Sequence, residues 1–201
     1  MPPGVPGRQG IQMTNITQPL STVYEGWEGY NRSLLHAVEP LNPEQLAYRP
    51  APDLRSVGEL FRHIACGRIG WFRRMDAPGS AELAAQVPEW RQDNEGNQHL
   101  VEESLPLEVG DLVHWLNASW AMVEATLTQW TVADVEKTYN HTYWGTTYAV
   151  SRQWTIWRIL SHDIQHGGQL SLMLYMQGID IPELGGLGGH LTEPPLADAH
   201  D

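Results

Sequence analysis

Residues 155–178 read TIWRILSHDIQHGGQLSLMLYMQG. Apolar side chains return here every three or four positions until Gly178, which predicts one long amphipathic helix. Thr155 is the expected N-cap and Gly178 the residue that ends the helix. The row Ile159, His162, His166, Gln169, Met173 and Met176 is spaced three, four, three, four, three, so it predicts a bundle seam with both histidines turned inward. Two imidazoles one turn apart on a helix face can grip a single metal ion. The same spacing arises where each ring merely hydrogen-bonds a core carbonyl or carboxylate, so this pair alone leaves both readings open.

A second stretch, SVGELFRHIACGRIGW at 56–71, opens on a capping box: the Ser56 hydroxyl caps the helix and Glu59, three residues on, reaches back. The helix is expected to run to about Met75. His63 shares a row with Leu60, Gly67 and Gly70, next to the apolar row of Val57, Phe61, Ile64, Trp71 and Met75, which places it at the edge of the buried face. The two glycines permit close approach of another helix or a ligand.

Two further helices follow from periodicity. One spans about Leu20 to Val38 and stops before Pro40 and Pro43. The other spans about Leu107 to Trp130, with Leu112, Leu116, Val123 and Trp130 along one side and Glu108 and Asp111 near its positive end. The long polar crossover between the second and third helices has room for a short helix and can return the chain along the bundle, so neighbours need not be antiparallel. Residues 136–153, EKTYNHTYWGTTYAVSRQ, read as a short β-hairpin before the last helix. Residues 1–16 and 184–201 lack periodicity and read as tails, leaving 17–183 as one domain.

Composition narrows the function classes. The 201 residues carry 12 Lys+Arg against 24 Asp+Glu, a net charge of −12, which repels phosphate backbones and anionic membranes and argues against nucleic acid as partner. The single cysteine, Cys66, allows no internal disulfide and suits a reducing cytoplasm. No apolar segment has the length of a signal peptide core or a membrane span, so a cytoplasmic protein is expected. Nine tryptophans against two phenylalanines are expected mostly in the core. Neither a Ser-His-Asp order nor a phosphate-cradling glycine loop is present.

The inward histidine of SVGELFRHIA, followed some hundred residues later by HDIQHGGQL with its two histidines and the run Gly168, Gln169, Leu170, resembles the DinB-like (DinB/YfiT) family. The resemblance covers roughly residues 20 to 178. It implies an all-α four-helix bundle of up-down-down-up connectivity, and a divalent metal, nickel or zinc, held by His63, His162 and His166. It also implies a homodimer. Family members with an assigned activity resemble thiol-dependent transferases and isomerases that use low-molecular-weight thiols such as mycothiol or bacillithiol. A metal-dependent S-transferase or hydrolase acting on a small molecule is therefore one expectation, and a non-catalytic, stress-related protein binding a metal or small ligand is the other.

Three neutral imidazoles would leave an ion open positions for water or substrate, which is the arrangement of a reactive site rather than a closed structural one. Gln169 is the candidate to orient a water or a ring nitrogen. Asp163 is a second candidate, able to accept an N–H from an imidazole, but its place off the histidine seam favours a solvent-facing position. The hairpin around His141 could cover the mouth of the site and offer Tyr143 or Trp144 to a substrate. Cys66 reads as a small buried hydrophobe, and His36, His99, His114, His190 and His200 as surface or satisfied histidines.

Overall fold

A computed structural model describes residues 18–185 of the chain, and the capping box at Ser56 forms in it as its spacing predicts. Ser56 Oγ accepts from the Glu59 amide at 3.2 Å while the Glu59 carboxylate accepts from the Ser56 amide at 2.8 Å. Two donors that a helix start otherwise leaves unpaired are thereby satisfied. The helix they open is the third of seven: α1 Gly26–Val38, α2 Pro43–Ala47, α3 Val57–Arg74, α4 Ser80–Ala84, α5 Val109–Gln129, α6 Arg152–Tyr175 and α7 Pro182–Gly185. Single 3-10 turns occupy Leu20–Thr22 and Glu102–Ser104.

Pro43 does more than stop α1. It occupies the first turn of α2, where its missing N–H costs nothing, and Asn42 caps that turn with a second capping box. The crossover after α3 holds the short helix it has room for, α4, and also an antiparallel ribbon that periodicity does not predict. This ribbon pairs β1 Trp90–Gln92 with β2 Gln98–Leu100. Strands of three residues are too short for alternation to show.

The expected hairpin is present as β3 Thr138–Tyr143 and β4 Thr146–Ser151. Trp144 and Gly145 form its two-residue turn, both with positive φ (50° and 74°), which is the backbone that matches strand twist in tight hairpins. The strand runs directly into α6, so the N-cap is Ser151 rather than Thr155: Ser151 Oγ accepts from the Trp154 amide at 3.1 Å. Thr155 lies one turn inside the helix, fully buried, with its hydroxyl paired to the Tyr139 hydroxyl at 2.7 Å. At the other end Gly178 (φ 77°) donates to Tyr175 O and Ile179 donates to Leu174 O. These two bonds close the helix in the manner expected of a terminal glycine.

The four long helices pack in a ring, α1 on α5, α5 on α3, α3 on α6 and α6 on α1. Their shared core includes Leu34, Phe61, Ile64, Leu116, Ile159 and Leu170, none of them measurably exposed. The molecule is thus mostly helical with two small antiparallel strand pairs. Tryptophans divide differently from expectation: Trp27, Trp115 and Trp130 are buried, Trp71, Trp90 and Trp120 half-buried, and Trp144, Trp154 and Trp157 exposed. Among the described residues no helix is long and apolar enough to cross a membrane. The stretches read as tails lie outside the described residues, except Leu184 and Gly185 in α7.

Candidate metal centre

The buried stripe of α6 is Ile156, Ile159, Asp163, Gly167, Leu170 and Leu174, rotated from the seam that the histidines suggest. His162 and His166 therefore stand at the margin of the core, half-buried, and Met176 is exposed. Both rows are built of three- and four-residue spacings, and only the position of α3 and α1 decides which turns inward. His63 on α3 occupies the matching margin, as its row predicts. Gly67, one turn on, lets α3 approach: a Cβ there would stand 2.8 Å from His162 Cε1. On α6, a Cβ at Gly167 would collide with the Tyr30 hydroxyl.

These approaches bring three rings together, with centroids 4.8 Å apart for His63 and His162, 4.8 Å for His63 and His166, and 4.4 Å for His162 and His166. One nitrogen from each lies within 4.8 Å of the others, so the three histidines could hold a metal ion. The far nitrogens are oriented by the protein. His63 Nδ1 meets Glu102 Oε1 at 2.6 Å, and His166 Nδ1 meets Gln169 Oε1 at 2.7 Å. His162 Nδ1 faces Asp163 Oδ1 at 3.7 Å, both atoms buried and without another partner. With Nδ1–H of His63 and His166 donated to an acceptor, their Nε2 lone pairs are left for a metal, while His162 Nδ1 makes no hydrogen bond.

The convergence is closest between His63 Nε2 and His162 Nε2, 3.1 Å apart. Two lone pairs so placed repel unless a proton or a cation lies between them. Nitrogens bound to one ion at ~2.1 Å, at angles between octahedral and tetrahedral, are about 3.0–3.4 Å apart. The donor set thus fits a divalent cation of borderline softness. Burial first, with His162 and His63 adding to it against the opposing hydrogen bond to Gln169, brings the His166 pKa down to about 4. The ring is therefore neutral, as a ligand must be, at ordinary pH. Burial raises Glu102, but its hydrogen bond to His63 and the nearby charges of His63, Arg55 and Arg62 outweigh that and hold it below the usual carboxylate range.

Glu102 is the partner that sequence reasoning misses, since it belongs to a 3-10 turn in the crossover and has no periodic relation to His63. Asp163 is a correction. It is fully buried, not solvent-facing, and its Oδ2 accepts from Arg68 Nε at 2.8 Å and from Trp27 Nε1 at 2.9 Å. Arg68, also fully buried, donates from Nη1 to Asn31 Oδ1 at 2.7 Å. The signal for this pair was available: Arg68 interrupts the apolar stripe of α3, Asp163 interrupts that of α6, and opposite charges on two buried stripes need each other.

Cys66 is buried, and burial followed by the charge of Glu102 pushes its thiol pKa up, so it is not a thiolate. The hairpin does not lie over the histidines. It packs instead against Trp71, with His141 at 5.3 Å from that ring, and borders a separate cavity that none of the three histidines lines. Tyr143 lines that cavity and Trp144, at the hairpin tip, is 85% exposed. His99 is satisfied by Asp93 at 2.6 Å and His114 is exposed, while His190 and His200 lie outside the described residues.

The sequence profile of the DinB superfamily matches residues 28–170, a span that contains all four long helices or most of each and all three histidines. The chain belongs to the DinB superfamily. A crystal structure of a DinB-like protein from Bacillus cereus ATCC 10987 superposes with a TM-score of 0.59 at 16% identity, covering 82% of this chain and 97% of that one. At that identity the likeness concerns the fold. No curated protein matches the sequence. Membership in this metal-associated superfamily agrees with the three-histidine cluster.

Proposed function

We propose that this DinB superfamily protein binds one divalent ion, nickel or zinc, through His63, His162 and His166, and that the positions left open on the ion serve a metal-dependent transfer or hydrolysis reaction using a low-molecular-weight thiol. The observation that carries the reading is the pair of Nε2 atoms 3.1 Å apart, each with its Nδ1 turned toward a carboxylate. A bound ion would lower the pKa of a coordinated water or thiol. Around it, Glu102 and Gln169 hold the His63 and His166 rings by hydrogen bonds, and Asp163 faces His162.

The same reading takes the helices as an up-down-down-up bundle, with α1, α5, α3 and α6 as successive neighbours. It also takes the protein as a cytoplasmic homodimer. Support for the dimer comes from the outer face of α6, where Trp157 (64% exposed), Ile164 and Leu172 line up beside the uncrowded Gly168.

Protein purified without chelator should contain about one divalent ion per chain by elemental analysis. His63→Ala, His162→Ala and His166→Ala should each release it while the helical circular dichroism persists. Folded protein without metal would overturn the reading. Metal that raises the unfolding temperature by mass action, with no thiol consumed across a panel of electrophiles, would assign the site to binding alone.

A further inference from the structure

Between the β3–β4 hairpin and the start of α6 lies an open cavity of ≈ 570 Å³ walled by Trp71, Trp154, His141, Tyr143, Tyr148 and Arg158. Its size is that of a small-molecule site. The walls are aromatic and mutually braced, with Trp71 and Trp154 centroids 5.7 Å apart and inclined at 59°. Arg158 stands over both indoles, 4.8 Å from the Trp71 centroid and 5.3 Å from that of Trp154. Among the described residues no carboxylate pairs with Arg158; the same holds for Arg73 and Arg152, which lie over Trp90 and Trp130, but of these three Arg158 is the one that lines this cavity. A guanidinium stacked on rings with its N–H edge unpaired is built to receive a planar anion.

The hairpin wall is held in place at both ends. At its tip Glu95 accepts from the Gly145 amide at 2.5 Å and Asn97 donates to Thr142 O at 2.9 Å; at its base Tyr139 pairs with Thr155. The turn also keeps Trp144 at φ 50°, a conformation that bulky residues seldom adopt, with its ring stacked on Tyr143, which lines the cavity. Arg158 is one helical turn from His162, about 6 Å along α6.

We infer that this cavity binds a planar, aromatic carboxylate, its ring against Trp154 and Tyr148 and its carboxylate on Arg158. Its role as the substrate's anchor rests on the three-histidine reading; the binding does not. The test is calorimetric titration of the purified protein with 2-naphthoate, with its neutral analogue 2-naphthamide, and with cyclohexanecarboxylate. One naphthoate per chain is expected, with the amide weaker by about tenfold, the usual worth of one charge-assisted contact, and cyclohexanecarboxylate weaker because it keeps the charge but has no aromatic ring to stack.

Arg158→Gln and Trp154→Ala change exposed positions on α6. Each should weaken naphthoate by about tenfold or more with the circular dichroism unchanged. Chelation should leave naphthoate affinity within about twofold. Absence of naphthoate binding to folded protein, equal binding of acid and amide, or full affinity in Arg158→Gln would each overturn the site. Loss of naphthoate on chelation would show the probe to be a ligand of the ion and would equally overturn it. Absence of metal in the purified protein would defeat the three-histidine reading while leaving this one standing.

Discussion

Single atoms decide whether His63, His162 and His166 form one site. Gly67 is the sharpest case, because its missing Cβ is the space that the His162 ring occupies. Gly67→Ala should raise intrinsic helix stability by up to about 1 kcal/mol but displace a ring whose position matters only to the metal. The expected outcome is therefore a lower metal content, by elemental analysis, in a protein whose metal-free unfolding midpoint does not fall. A midpoint lowered together with the metal content would show that α3 and α6 depend on this contact for packing. Asp163 is the opposite case, since its contacts are structural first. Asp163→Ala leaves Arg68 charged and buried without its partner, which costs on the order of 3–5 kcal/mol and should appear in the urea midpoint. Replacing both together, Arg68→Met with Asp163→Leu, should recover much of that loss, because a buried ion pair exchanged for apolar groups of similar size is often neutral.

At the scale of the element, α6 carries three jobs on three faces. Its buried stripe packs the core, its margin presents His162 and His166, and its outer face shows Trp157, Ile164 and Leu172 to solvent. An apolar outer face of this kind is unusual on a free helix in water. If it is the dimer contact, Trp157→Glu with Leu172→Glu should convert a dimer to a monomer in light scattering, with the helical signal and the metal content retained. A wild-type monomer at micromolar concentration would refute the dimer without touching the site. Arg158 and Trp154, earlier on the same helix, belong to the hairpin cavity, so one element links the cavity, the histidines and the outer face.

The whole molecule responds to pH through groups whose protonation changes on folding. For His166 the folded pKa is about 4 against an ordinary 6.5, so the unfolded chain binds the proton more tightly. Stability should accordingly be present in full above pH 6.5 and decline as pH falls toward 4, with the slope set by the extra proton of the unfolded state. Urea midpoints of chelated protein across that range should show the decline, and His166→Gln should flatten it. Equal slopes in both proteins would show that other groups govern the acid response. The net charge of −12 acts in the opposite sense, since acid relieves the mutual repulsion of carboxylates, so only the difference between the two proteins reports His166.

The local rules written in the chain were enough to place the four long helices and one hairpin, although α1 begins at Gly26 after a separate 3-10 turn rather than at Leu20. Periodicity marked the four long helices, the Ser56–Glu59 pair marked the start of α3, Gly178 the close of α6, and the Thr- and Tyr-rich stretch around Gly145 the presence of a hairpin. These are interactions among residues a few positions apart, so spacing encodes them. The three histidines were legible because two share a helix turn and the third sits on a capped helix with glycines on its row. Tertiary packing alone decided the rest. Which of two equally periodic rows of α6 turned inward depended on α1 and α3, whose Trp27 and Arg68 draw Asp163 into the core. Glu102 reached His63 only because the crossover folds back, and Arg158 met Trp71 only because α3 and α6 lie side by side. A contact between distant segments leaves no spacing in the chain, and so the partners that tune the site were decided by the fold.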